Sequence, residues 1–318
     1  MAVMLSRVVY ICSGSRCGST VMDMFLGSHA EVASLGELNM LGKVLSVGRP
    51  CTCGVILRDC PSWQLVFSRL QSTTGVDLRS DPYDLPIWKA RARYNIDRAH
   101  QNLAFEGQVR LTHAVLQFRQ RLVQWTGLRL PAPGAVRTAV KNKMAIYEAI
   151  ASAWSSPVVV DSSKNALEAI ELAHTYPDRV RVLLLTRDGR GVYLSHRTTG
   201  MDPPTSLRSW LTYYRRNAPL LKAALPTHQL LTLRYETFAA DPVGTGQRLC
   251  DWLGLAADAK MASLAGSHWH MVDGNETRFA AGQGVRLDER WRQGLLRRAR
   301  CRVGALPSMR RWRGVPIP

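Results

Sequence analysis

Three short polar segments carry the residues best suited to chemistry, and each follows an apolar run rich in β-branched residues. Ser13-Gly14-Ser15-Arg16-Cys17-Gly18-Ser19-Thr20 follows Val8–Cys12. Asp161-Ser162-Ser163-Lys164-Asn165 follows Val158–Val160. Arg187-Asp188-Gly189-Arg190-Gly191 follows Val180–Thr186. The first segment has the chemistry of a phosphate cradle. Gly14 and Gly18 let the backbone approach an anion, Ser19 and Thr20 offer hydroxyls, and Arg16 adds a full charge. The helix expected next would point its free N–H groups and its dipole at the same place. It is not the nucleoside-triphosphatase loop G-x-x-x-x-G-K-[ST]. Only three residues separate Gly14 from Gly18, and Ser19 stands where the lysine should be. Taken alone, a Gly/Ser turn capping an ordinary helix is an equally good reading.

The elements that must position these loops are legible from period and punctuation. The sequence predicts strands at Val8–Cys12, Val158–Val160, Val180–Thr186 and Leu230–Leu233. It predicts helices over about Gly18–Ser28, Leu35–Val47, Trp63–Leu70, Val136–Trp154, Ala166–Tyr176, Arg187–Thr198, Ser206–Leu225 and Pro242–Leu253, the last stopped by Gly254. Alternating strands and helices imply an α/β fold with a mainly parallel sheet, whose ligands bind beyond the carboxyl ends of the strands. All three polar segments leave such ends. Between Thr74 and Pro133 the pattern changes to a polar, Arg-rich helical stretch, expected as an insertion within one domain spanning 1–318. An insertion above the strand ends would suit an acceptor lid lined by Trp88, Arg91, Arg93, Tyr94, His100 and Phe105. The plainer reading is an amphipathic helix pair with aromatics inward and Arg in water.

In sequence order the motifs resemble those of the sulfotransferases that use 3′-phosphoadenosine-5′-phosphosulfate (PAPS). Arg16-Cys17-Gly18-Ser19-Thr20 is similar to the family's donor loop R-S-G-S-T. Arg187-Asp188-Gly189-Arg190 with Ser195 resembles its 3′-phosphate segment, and Val160-Asp161-Ser162-Ser163-Lys164 its D-S-S-K. Arg234-Tyr235-Glu236-Thr237-Phe238, then Asp241-Pro242 and Trp252-Leu253-Gly254-Leu255, resembles its Y-E…DP…WLGL stretch. Gly274-Asn275 with Arg278 and Trp291 resembles its late G-N…R…W pattern. The resemblance covers Val8–Leu70 and Val136–Trp291 and leaves out Thr74–Pro133. It implies a P-loop-like sheet flanked by helices. It also implies PAPS as donor, with 3′,5′-diphosphoadenosine as product, a hydroxyl-bearing acceptor, and no metal in the transfer. Carbohydrate, glycolipid and other small-molecule alcohols are the favoured acceptors.

Residue by residue, the resemblance gives Ser15, Arg16, Cys17, Gly18, Ser19 and Thr20 to the donor's 5′-phosphate. Arg187 and Ser195 fall to its 3′-phosphate, with Arg278 as a third contact. Arg16 and Lys164 are the candidates to neutralise charge on the leaving oxygen. Glu37, in Leu35-Gly36-Glu37-Leu38-Asn39, resembles the carboxylate base of tyrosylprotein and several carbohydrate sulfotransferases. A helix-start Glu satisfying the dipole is the structural alternative. His29, His100, His196, His268 and His270 stand outside any K-x-x-H context and rank behind it. Cys17 replaces the family's usual Ser, which would make the loop sensitive to thiol reagents.

The bulk numbers bound the rest. The chain has 318 residues and is 46% hydrophobic, enough for one large core. No run reaches membrane-spanning length, and Val8–Cys12 is too short for a signal-peptide core, so a cytoplasmic enzyme is expected. A formal charge of +18 attracts polyanions. The stretch Arg286–Pro318 alone holds ten Arg against two acids, a net +8. It reads as a solvated basic segment without the aromatic interleaving of a nucleic-acid site, and peripheral contact with an anionic membrane stays open. Two alternatives remain: a P-loop-like small-molecule kinase and a non-catalytic polyanion-binding protein. Seven Cys do not suggest a disulfide framework. Cys51, Cys53 and Cys60 cluster, but a closed zinc site needs four ligands and no fourth stands at a telling spacing. Reduced thiols come first, then a local disulfide, then zinc.

Overall fold

The computed structural model describes residues 3–88, 103–128, 130–264, 269–279, 282 and 284–292. Within them the chain builds a five-stranded parallel sheet. β1 (Arg7–Ser13) leads through the donor loop into α1 (Ser19–Leu26), and β2 (Val32–Ser34) follows. Next come a 3₁₀ turn at Leu38–Met40, α2 (Leu41–Val47), α3 (Pro61–Thr74), α4 (Leu103–Thr126) and α5 (Gly134–Trp154). β3 (Val158–Asp161), α6 (Ala166–Thr175), β4 (Val180–Thr186) and α7 (Gly189–Arg197) complete the centre. α8 (Pro203–Thr212), α9 (Ala218–Ala224), β5 (Leu230–Arg234), α10 (Tyr235–Ala240) and α11 (Pro242–Leu253) close the described fold.

The strand order is β2-β3-β1-β4-β5. β1 lies in the middle, with Val9 opposite Val160 of β3 and Ser13 opposite Leu185 of β4. The chain goes to one side of β1 for β2 and β3, then crosses to the other for β4 and β5. That reversal opens the crevice where ligands of such sheets bind. β1 is buried on both faces because its residues alternate between two cores. Val8, Tyr10 and Cys12 join a core with Trp63 and Phe67 of α3, Ile150 of α5, Ile170 of α6 and Leu221 of α9. Val9 and Ile11 join another with Met22 and Phe25 of α1, Phe238 of α10 and Leu249 of α11.

The structure departs from expectation at three places, each with a physical reason. β2 is an edge strand of three residues, too short for a periodic signal. Leu35-Gly36-Glu37 is not helical: Gly36 has φ 69° and bridges in parallel to Asp273, and helix begins only at Leu38. A Cβ on Gly36 would lie 2.1 Å from the Asp273 carbonyl oxygen, so glycine is required there. The single helix expected over Ser206–Leu225 begins at Pro203 and contains a π turn, Tyr213–Asn217. Pro219 has no N–H to continue the α ladder, a common cause of such turns.

The segment 74–133 contributes side chains to the first core. Its described helix α4 packs against α6 and α9, with Leu116 fully buried and Arg119 Nη1 2.7 Å from Glu171 Oε1. Trp88 packs inward, as the plainer reading has it: it is buried in the first core, 6.1 Å centroid to centroid from His113. Arg91, Arg93, Tyr94 and His100 lie outside the described residues, as do the Phe105 side chain and residues 293–318 of the basic segment.

Candidate active site

At the carboxyl end of the sheet lies a cavity of about 700 Å³. Its wall includes Ser15, Arg16, Gly18, Ser19 and Thr20 from the loop after β1, with Glu37 and Lys164. Arg187 and Ser195 of the β4 loop and α7 join them, and Tyr235, Gly274, Asn275 and Arg286–Arg290 complete much of the rim. Residues from Ser15 to Arg290 thus share one wall.

The loop after β1 owes its shape to two left-handed residues, Arg16 (φ 63°) and Gly18 (φ 90°). Such curls turn successive N–H groups toward one point and make anion-binding concavities. At Gly18 a Cβ would lie 2.6 Å from the Tyr235 ring, so no other residue fits without displacing it. α1 then starts at Ser19 without a side-chain cap, leaving N–H groups at its first turn for a ligand.

Two hydrogen bonds tie this loop to the β4 loop. Arg16 Nε donates to Ser195 Oγ at 2.9 Å, and Arg187 Nη1 donates to the Arg16 carbonyl at 2.9 Å. Arg187 is buried, stacks 4.3 Å from the Tyr235 ring centroid, and meets Asp288 Oδ2 at 3.0 Å. Burial, then the neighbouring Arg187 charge, holds the Arg16 guanidinium below its ordinary pKa. Two guanidinium groups this close repel unless an anion lies between or beside them. Asp288 meets part of that demand. Hydrogen bonds from Arg290 first, and from Arg187, keep its carboxyl well below the usual range.

Opposite the phosphate loop, Lys164 Nζ donates to Glu37 Oε1. Lys164 sits at φ 67°, and its N–H reaches back to the Ile11 carbonyl at 3.2 Å, which fixes the turn after β3. Glu37 is fixed through its backbone: its N–H donates to the Asp273 carbonyl at 3.0 Å. Beneath it, the Gly36 N–H and Ser34 Oγ donate to Asp23 at 3.0 and 2.5 Å. Burial pushes the Asp23 carboxyl up to about 7.

A network centred on the fully buried Lys143 underlies this wall. Lys143 Nζ lies 2.8 Å from Asp161 Oδ2, 2.7 Å from Glu168 Oε1 and 2.8 Å from Asn39 Oδ1. Tyr10 and Tyr147 donate to Glu168 and Asp161, each at 2.6 Å. Asn39 and Asp161 are two and three residues from Glu37 and Lys164, so the network sets the spacing of the two loops that carry them.

The structure brings together Ser15, Arg16, Gly18, Ser19, Thr20, Glu37, Lys164, Arg187 and Ser195. Two expected residues do not line the cavity. Cys17 is fully buried with Sγ 3.5 Å from Tyr214 Oη, and burial pushes its thiol up to about 11. The expected thiol-reagent sensitivity does not fit a buried, protonated sulfur. Arg278 is buried beside Gly274, its Nη1 2.7 Å from Asp273 Oδ1, and is not in the cavity wall. Tyr214, Tyr235, Asp273 and Asp288 were missed. They act through contacts between distant segments; of the four, Tyr235 alone stands in a motif quoted for the resemblance, and no site role was assigned to it there. His196 bonds to Ser15 Oγ (3.2 Å) and Ser206 Oγ (2.6 Å) and so braces the loop.

Residues 87–259 match the model of the sulfotransferase family. This chain belongs to that family. The matched stretch holds Lys164, Arg187 and Ser195, and it runs through much of the 74–133 segment expected to lie outside the resemblance. The class that fold and site define is therefore a sulfonate-transferring enzyme with a parallel sheet flanked by helices. Among solved structures, the chain is similar to the sulfotransferase domain of the curacin biosynthetic pathway (15% identity, 91% of this chain and 89% of that one, TM-score 0.47). It is also similar to the sulfotransferase domain of the olefin synthase of Synechococcus PCC 7002 (16%, 92% and 84%, TM-score 0.42) and to a sulfotransferase from Alicyclobacillus acidocaldarius (12%, 91% and 89%, TM-score 0.38). No curated protein matches the chain. No helix among the described residues is long and apolar enough to cross a membrane.

Proposed function

We propose that the chain transfers a sulfonate group from PAPS to an acceptor hydroxyl. The observation that carries the donor assignment is the pair of contacts joining Arg16 to Ser195 and Arg187 across one cavity. A 3′,5′-bisphosphorylated nucleotide presents two phosphates, and the chain offers two adjoining sites for them. The loop Ser15–Thr20 suits the 5′-phosphate by backbone N–H groups at the start of α1, with the Ser19 and Thr20 hydroxyls. Arg187 and Ser195 suit the 3′-phosphate, a guanidinium being permanently charged and matched to phosphate oxygens. Arg278, through Asp273, braces the Gly274–Asn275 wall; Asn275 N–H donates to Thr20 Oγ1 at 3.2 Å.

Bound PAPS supplies an activated sulfonate and a phosphate leaving group. Negative charge grows on the leaving oxygen, and Arg16 and Lys164 supply fixed positive charge beside it. Glu37 takes the proton of the attacking hydroxyl. Its contact with Lys164 supports pairing this base with that cation. Carbohydrate, glycolipid and other small-molecule alcohols are the acceptors this reading favours, and the cytoplasm the compartment.

A small-molecule kinase would need ATP and Mg²⁺, yet the loop has Ser19 where that chemistry uses lysine. Thermal shift separates the two readings. 3′,5′-Diphosphoadenosine in metal-free buffer should raise the melting temperature and ATP with Mg²⁺ should not. The reverse pattern would replace this proposal with the kinase.

A further inference from the structure

Far from the phosphate loops in sequence, four side chains converge on one point: Cys51, Cys53, Cys60 and His270, with every ligand atom within 4.8 Å of the others. We infer that they form a closed tetrahedral zinc site that pins the loop 49–60 to the segment bearing Asp273.

The distances carry the inference. Zn–S bonds of about 2.3 Å and Zn–N bonds of about 2.0 Å at tetrahedral angles require S···S near 3.8 Å and S···N near 3.5 Å. Cys53 Sγ and Cys60 Sγ are 3.7 Å apart. His270 Nδ1 is 3.4 Å from Cys60 Sγ and 3.6 Å from Cys51 Sγ. A disulfide between any two of these sulfurs would need them near 2.05 Å and would leave the imidazole without a role.

The surroundings are those of a ligand set. Cys51 and Cys53 sit in a tight turn closed by the Pro50–Ile56 bridge and by Gly54, whose φ is 88°. Cys60 stands just before α3, immediately ahead of Pro61. Ser62 Oγ lies 2.9 Å from His270 Nε2, the outer partner that fixes a ligating imidazole with its Nδ1 lone pair turned toward the metal. The His270 carbonyl accepts from Trp63 Nε1 at 2.7 Å, and the ring lies 5.7 Å from that of Trp154. Four protein ligands leave no open position, so the role is structural. Zinc binding releases the thiol protons to solvent and oxidises nothing.

What the site would hold in place is the floor under Glu37. Met271 N–H donates to Thr52 Oγ1 at 2.9 Å, Val272 N–H to the Leu35 carbonyl at 2.8 Å, and the Asp273 carbonyl takes the Glu37 N–H. His270 is therefore three residues from the backbone group that positions Glu37.

The test is metal analysis of the full chain, purified without chelator after growth in zinc-supplemented medium. About one zinc per chain is expected. X-ray absorption should show three sulfur neighbours and one nitrogen, and strong chelation should lower the melting temperature by several degrees. Cobalt(II) exchanged into the site should give thiolate charge-transfer absorption, and His270→Ala should weaken it. Cysteine variants of a structural site can fail to fold, so the wild-type chain decides. A folded chain with under about a tenth of an equivalent of zinc that gains none from added zinc chloride overturns the inference. So does a Cys53–Cys60 disulfide found by mass spectrometry in the native chain.

Discussion

Lys143 and Lys164 both face carboxylates, one reaching the last residue of β3 and the other standing in the loop that follows it, yet they serve opposite ends. Lys143 is wholly buried among Asp161, Glu168 and Asn39, with two tyrosines completing the acceptors. Burial raises the Glu168 carboxyl, and the Lys143 charge opposes that shift. Every polar group of the cluster has a partner within the protein, so nothing is left for a substrate. Among the described residues Lys164 has one carboxylate partner, Glu37, and the pair keeps 20% and 30% of its side-chain surface at the cavity. The same residue types make a scaffold where the contacts are closed and a candidate reaction centre where they are open.

Substitution can break that comparison. The largest effect is expected at Lys143. Lys143→Ala strands two buried carboxylates and should cost about 3–5 kcal/mol of stability, read by denaturant unfolding. Lys164→Ala, in a partly exposed pair, should cost less than about 1 kcal/mol. Equal losses would dissolve the distinction. Next comes Glu37→Gln, expected to lower kcat by roughly 10²-fold or more while leaving donor affinity and melting temperature near wild type. Single-turnover transfer to an acceptor found by screening checks it, and near-normal turnover would remove Glu37 as base. Arg187→Ala should weaken 3′,5′-diphosphoadenosine by about tenfold to a hundredfold, the worth of a charge-assisted hydrogen bond or two, as read by calorimetry.

A separate effect, read along the pH axis, concerns Asp23. Asp23, below Gly36, ionises near pH 7 in the folded chain against an ordinary 3.8. The folded state therefore binds this proton more tightly than the unfolded chain does. Stability from Asp23 is full below about pH 4 and is lost as pH rises toward 7. Asp23→Asn should flatten that part of the stability–pH curve. A curve of unchanged slope would mean that burial does not raise this carboxyl.

The phosphate-loop half of the site was legible because its chemistry is local. A glycine, its flanking hydroxyls and an arginine sit within Ser13–Thr20, and Arg187 and Ser195 within one turn and helix. Lys143 was read only as one residue of a helix, because its partners lie on three other elements. The Cys cluster shows the same limit from the other side. Cys51, Cys53 and Cys60 are close in sequence and were noticed, whereas His270 is 210 positions beyond Cys60 and reaches them only through the fold. Trp88 allowed two readings, because an aromatic in an Arg-rich stretch fits a pocket as well as a core, and its burial matches the inward-packed one. Gly36 was taken into a helix because its left-handed backbone follows from the distant Asp273 carbonyl.

Isothermal titration tests the central claim most directly. Purified chain in metal-free buffer is titrated with 3′,5′-diphosphoadenosine, ADP and adenosine 5′-monophosphate. The account predicts tight binding of the first that depends on its 3′-phosphate and is lost in large part in Arg187→Ala. Equal binding of all three, or none, would contradict a site built from the Arg16, Ser195 and Arg187 contacts.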